Sequence, residues 1–273
     1  MTGPVVVTGA SVLTMDPDRA EHPDGYVVLD GPRIAAVGAG APDLSDPAFT
    51  DAQVVDGRGC LLTPGLVNTH HHLYQWATRG MAVDATLFGW LTTLYPVWSG
   101  LDEQAVYDAA RGALGWLALT GCTTSTDHHY VFPRAGGDLL AAEVAAAASI
   151  GLRFHPTRGS MDLGVSAGGL PPDEVVEDVD TILAATADAI DRFHDPEPGA
   201  MVRVGVAPCS PFTVSPPLFA ATAQLARERG VRLHTHLAET LDEAQWCQDR
   251  YGHGPVDHLD ALGWLGPDVW VAH

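Results

Sequence analysis

The run GLVNTHHHLYQ at residues 65–75 places three histidines in succession. Each buried imidazole needs hydrogen-bond partners, so an apolar core has little use for three in a row. A metal ion has a use for two. Alternate side chains of a strand share a face, so His70 and His72 point together and His71 points away. Two imidazoles on one face can grip a metal, although such a pair also serves structurally. A second run, HTHLAET at 234–240, repeats the pattern with His234 and His236, and Glu239 follows His236 by three residues. A third imidazole beside a carboxylate suits metal-assisted hydrolysis, in which the metal makes a water acidic and the carboxylate moves its proton. The structural alternative for Glu239 is an acid held at a helix N-terminus. His273 closes the apolar run VWVAH, Gln75 stands within reach of a substrate, and Arg158 offers a donor fork for a carbonyl or an anionic heterocycle. His128, His129 and His155 are open between pocket lining and structural roles.

These residues need elements to hold them. Residues 1 to about 60 read as all-β, with a turn signal at LDGPR. From Leu61 short apolar runs alternate with helical stretches. The strand candidates are 65–70, 122–127, 152–158, 202–208, 231–236 and 269–273, and the helix candidates are 102–121, 138–151, 172–193 and 215–230. Several helices open on Asp or Ser and close at Gly, which are cap signals. Strand–helix alternation predicts a parallel sheet. The polar clusters fall at strand C-terminal ends: His70 and His72, then Asp127 to His129, His155 with Arg158, Cys209 with Ser210, His234 to Glu239, and His273. Six strands feeding one rim favour an α/β (β/α)8 TIM barrel over a doubly wound sheet. Such a barrel has eight strands and six are found, so the chain is expected to be the N-terminal part of a longer protein.

The composition excludes some chemistry. The formal net charge is −20, which argues against a nucleic-acid partner. All 14 basic residues are Arg, so no Lys is present to act as an amine nucleophile, a P-loop cation or a carboxylated metal bridge. The four cysteines form no CxxC pair, which speaks against structural zinc and for a reduced, cytoplasmic setting. No signal-peptide pattern or membrane-length apolar run is present, so no membrane partner is expected.

Taken together, PGLVNTHHH, HLAE and VAH, in this order, resemble the amidohydrolase superfamily across essentially the whole chain. The resemblance implies a barrel over 63–273 and a small β-sandwich portion over 1–62 whose other half would follow residue 273. It implies the mononuclear deaminase branch, which lacks a bridging Lys. It implies His70, His72 and His236 as ligands of one divalent metal, zinc or else Fe2+, with Glu239 as proton shuttle and His273 positioning the water. The branch's Asp after the eighth strand has no counterpart in this sequence. The segments NTHHHLYQ, TDHHYVFP, RGSMDLGVSAGGLPPD and APCSPFTVS are similar to deaminases that turn 8-oxoguanine into urate and ammonia. Neighbouring members act on guanine, cytosine or triazines. Gln75 matches a base-contacting Gln of guanine deaminases, whose fourth-strand Arg is not matched in VGVAPCSPF. The implied partners are a small heterocycle and water, in a homo-oligomer. An inactive barrel fragment is the competing reading.

Overall fold

The computed structural model describes residues 3–273, which divide into one compact unit ending at Leu66 and a second, Val67–His273. The first unit is one five-stranded sheet built from β1 (Val5–Leu13), β2 (Glu21–Asp30), β3 (Arg33–Ala39), β4 (Gln53–Asp56) and β5 (Leu61–Leu62). The order is β3-β2-β1-β4, with β5 also on β1. Gly31 turns β2 into β3 at φ 53°, a left-handed position that only glycine takes without steric cost. Ala10, Val12 and Val27 form its buried core. The described residues supply one layer of the expected sandwich.

The second unit carries a six-stranded sheet whose strands are neighbours in chain order: β6 (Leu66–Asn68), β7 (Cys122–His129), β8 (Arg153–Ser160), β9 (Gly205–Pro208), β10 (Leu233–His236) and β11 (Val269–Ala272). From β7 to β11 every pairing is parallel. Parallel strands in chain order, joined by helices, make the curled sheet of a TIM-type barrel. The helices are α1 (Leu87–Trp98), α2 (Glu103–Leu119), α3 (Leu139–Ile150), α4 (Val179–Phe193), α5 (Pro216–Arg229), α6 (Leu241–Tyr251) and α7 (Pro255–Ala261). Asp102, Asp138, Asp178, Ser215 and Thr240 each accept a first-turn backbone N–H, satisfying donors that have no partner inside the helix. Trp98, Trp264, Tyr95, Phe154 and Phe219 are among the largest fully buried side chains, each contributing roughly 1.5–3 kcal/mol by leaving water.

Several boundaries shift from the sequence expectation: β6 ends at Asn68, before His70, β7 runs on to His129, and β9 and β10 start later. The helix expected over 172–193 begins only at Val179, because Asp178 caps there and Val175 is buried in the preceding loop. The third barrel strand does not end at Arg158. It runs to Ser160, so His155 lies near its start, under Trp270 (ring centroids 5.1 Å), and not at the rim. Gly159 permits the extension. A Cβ there would meet the His129 carbonyl oxygen at 2.2 Å and the Tyr130 Cβ at 2.7 Å, so only glycine lets β8 approach the end of β7. Gly159→Ala is expected to destabilise the unit by about 1–3 kcal/mol through overpacking. Gly151→Ala, at φ 84° in open space beyond α3, is expected to cost only about 1 kcal/mol of backbone strain. Thermal melts of the two variants check this ordering, and equal shifts would contradict it.

Candidate metal centre

The rim ends of β6, β7 and β10 bring five imidazoles together. His72 and His236 are set by their outer nitrogens. His72 Nδ1 donates to the His128 carbonyl at 2.7 Å, and His236 Nδ1 donates to the Cys209 carbonyl at 2.7 Å. A neutral imidazole protonated on Nδ1 carries a lone pair on Nε2. The two Nε2 atoms therefore face each other with bare lone pairs, 2.9 Å apart. Lone pairs at that distance repel unless a cation accepts both. His70 is oriented in the same way. His234 Nδ1 donates to the Trp270 carbonyl at 2.9 Å, which leaves His234 Nε2 to accept His70 Nδ1–H at 3.0 Å and His70 Nε2 free. Fixing the outer N–H in this manner is how proteins orient metal-binding histidines.

Electrostatics supports the same assignment. Burial, followed by the neighbouring His273 and His71, pushes the His70 pKa down to about 4. Burial and adjacent imidazoles hold His72 and His236 well below the usual range. All three are neutral at pH 7 and ready to donate to a metal. Their ligand atoms lie within 4.8 Å of one another. Two nitrogens on one tetrahedral zinc would stand about 3.3 Å apart, close to the spacing of His72 and His236. Cys209 lies 3.9 Å from His236 Nδ1, but burial pushes its thiol up to about 12, so it supplies no thiolate. Three neutral imidazoles fit a divalent ion such as zinc.

Glu239 and His273 lie on the wall of the same cavity, with His273 Nε2 3.7 Å from Glu239 Oε1. Burial raises the Glu239 carboxyl, opposed by His273, which suits a group that must both take and give a proton. The loop presenting Glu239 is bent at Ala238, at φ 59°. The Glu243 carboxylate holds the bend by accepting the N–H groups of Ala238 (3.1 Å) and Glu239 (2.7 Å). The cavity, of about 270 Å³, is also lined by Gln75, Trp90, Tyr95, Tyr130 and Phe212. Gln75 donates to the Tyr74 and Tyr130 hydroxyls at 3.4 and 3.2 Å, and its carbonyl oxygen is not engaged by any described residue.

The structure thus gathers His70, His72, His236, Glu239, His273 and Gln75. It does not bring Arg158 to them. That guanidinium is buried against Glu177 (2.7 Å) and over the Phe132 ring (3.5 Å), in a separate cavity with Asp138. The cause is again the longer strand: alternation along β8 turns Arg158 outward to the helix layer. Sequence reasoning missed Trp90 and Tyr95, which α1 supplies. The aromatic-rich segment LFGWLTTLYPVW was the available signal.

The amidohydrolase family model matches residues 61–273. The chain belongs to the amidohydrolase family. It is 47% identical over 251 residues to the 8-oxoguanine deaminase of Pseudomonas aeruginosa, covering 91% of this chain and 55% of that protein. It is 40% identical to the hydroxydechloroatrazine ethylaminohydrolase of Pseudomonas sp. (strain ADP), covering 92% of this chain and 52% of that protein. Among solved structures it is similar to a zinc-complexed atrazine chlorohydrolase from Arthrobacter aurescens TC1, with a TM-score of 0.91, 37% identity, and 98% of this chain and 60% of that one covered. This amidohydrolase chain spans about half the length of the curated relatives it matches. Among the described residues, no helix is long and apolar enough to cross a membrane.

The ligand nitrogens carry no proton to displace until the pH falls towards the His70 value of about 4. Zinc affinity is therefore expected to change less than about threefold between about pH 8 and about pH 6, measured by chelator competition. A steep loss through the ordinary histidine pKa of about 6.5 would show that the imidazoles are charged in the metal-free chain.

Proposed function

We propose that the protein carrying this chain is a metal-dependent hydrolytic deaminase of a small planar heterocycle, with an oxidised purine of the 8-oxoguanine type as first substrate. The reading rests on one observation: the bare Nε2 atoms of His72 and His236 converge beside the Glu239–His273 pair, on one cavity. The names of the relatives favour the substrate class.

A divalent metal held by His70, His72 and His236 would supply Lewis acidity and lower the pKa of a water. The remaining roles belong to the chain's own side chains. Glu239 takes the proton of the attacking water and delivers it to the ring nitrogen beside the carbon under attack. His273, in contact with Glu239, orients that water and favours the ionised carboxylate. The free Gln75 carbonyl oxygen accepts from a ring N–H or amino group. Trp90, Tyr95 and Phe212 are flat, apolar walls that exclude water from the ring. A volume of about 270 Å³ lies just under the usual lower bound of about 300 Å³ for ligand pockets, which suits a free base better than a nucleoside. The four cysteines are unpaired, which supports a reducing, cytoplasmic setting.

Triazine hydrolysis is the second reading, favoured by the structural likeness. Ammonia release from 8-oxoguanine and guanine, set against chloride release from a chlorotriazine and amine release from a hydroxylated alkylaminotriazine, separates the two. Release from 8-oxoguanine with the highest kcat/KM is expected, and preference for a triazine would replace the purine reading. Glu239→Gln is expected to lower kcat by about 10²–10⁴ with zinc content unchanged. Retained activity would remove Glu239 from the proton transfer.

A further inference from the structure

Behind the imidazoles lies a second cluster that the reaction does not use. Asp127, His129 and Glu143 are 1%, 0% and 0% exposed, with one ligand-type atom of each within 4.8 Å of the others. His129 Nε2 donates to the Val131 carbonyl at 2.8 Å, and His129 Nδ1 meets Glu143 Oε1 at 2.8 Å. One proton satisfies that second contact, whichever atom carries it. Asp127 Oδ1 accepts the Leu73 N–H at 2.6 Å. Two atoms are left over. Asp127 Oδ2 and Glu143 Oε2 are the carboxylate oxygens that, among the described residues, are buried with no hydrogen-bond partner.

The charge balance decides what joins them. With both carboxyls ionised and His129 protonated, the cluster carries a net negative charge in full burial, with two orphaned acceptors. One further proton makes it neutral and turns one orphan into a donor for the other. A metal ion is the other means of satisfying these oxygens. The surroundings oppose it, because the rings of Tyr74 (4.8 Å) and Phe132 (4.7 Å) pack on His129, and neither offers the fourth ligand a buried zinc requires. Arg158, over Phe132, is already paired with Glu177.

We propose that Asp127 is kept protonated, sharing its Oδ2 proton with Glu143 Oε2, and that this neutral carboxyl is a positioning residue for the metal ligand His72. The link is a short reciprocal clasp. His128 N–H donates to the His71 carbonyl at 2.8 Å, Leu73 N–H donates to Asp127 Oδ1, and His72 Nδ1–H donates to the His128 carbonyl. Three hydrogen bonds thus tie residues 71–73 to residues 127–128. The Asp127 carboxyl is the one side chain of β7 in the clasp, and the Glu143–His129 pair fixes its orientation. The burial that pushes Glu143 up to about 8 and raises Asp127 agrees with a retained proton. The positioning role rests on the metal reading above, whereas the shared proton does not.

A neutral donor at position 127 should be replaceable by an amide and not by a methyl group. The test is infrared spectroscopy of the metal-free chain at neutral pH, together with zinc titration against a competing chelator. The wild-type chain is expected to show the high-frequency carbonyl stretch of a protonated Asp127 carboxyl. It is read as the band lost in the difference spectrum between wild type and Asp127→Asn, because Glu143 can contribute a band of its own that both chains keep. Asp127→Asn is expected to bind one zinc within about threefold of wild type, whereas Asp127→Ala weakens it at least about tenfold. Absence of the band would overturn the shared proton. Loss of a second zinc equivalent in Asp127→Asn would replace it with a cation site. Full affinity in Asp127→Ala would remove the positioning role. If Asp127→Ala fails to fold, the Asp127→Asn arm still decides. A wild-type chain that shows the band and binds no zinc would refute the metal reading and the positioning role and leave the shared proton standing.

Discussion

Two imidazole nitrogens, His72 Nε2 and His236 Nε2, face each other at 2.9 Å with no proton between them, and the unit is built to keep them so. Each ring gives its only N–H to a backbone carbonyl on another strand: His72 to β7, and His236 to the end of β9. Backbone carbonyls at strand ends are rigid and cannot themselves donate, so the tautomer is fixed as firmly as the sheet register. Burial then holds the rings neutral. The repulsion between the lone pairs is local strain that a divalent ion, bound by both, would relieve.

The remaining parts of the unit follow from that constraint. Six strands in chain order place their C-terminal ends on one rim, so ligands 164 residues apart in sequence meet. Glycine at position 159 lets β8 close on the end of β7, where Tyr130 follows and lines the cavity. His234, one ring behind His70, passes orientation from the Trp270 carbonyl to the ligand. Glu243 performs the same service for Glu239 through the backbone. The candidate ligand His70 and the carboxylate Glu239 are each held from outside by a second group, His234 on β10 for the one and Glu243 on α6 for the other.

Much of this was legible in the sequence. All six barrel strands and the four expected helices are present, because strand alternation, Asp or Ser caps and terminal glycines are local signals. Alternation alone put His70 with His72 and His234 with His236. Long-range effects were not legible. Where β8 ends depends on how closely β7 can approach, so His155 and Arg158 were both placed at the rim, whereas His155 sits near the strand start and Arg158 turns to Glu177. Helix α1 holds Pro96 and β-branched residues and gives a weak periodic signal, so its aromatic contribution to the cavity was not foreseen. The division of labour between His234 and His236 depends on which carbonyl each ring meets across the sheet, and no spacing rule carries that.

X-ray absorption at the zinc edge of the zinc-loaded chain tests the central claim most directly. Three imidazole nitrogens at about 2.0–2.1 Å with an oxygen donor at a similar distance and no sulfur are expected. A sulfur shell at about 2.3 Å, which would bring in Cys209, or a shell with fewer than two imidazoles, would contradict it.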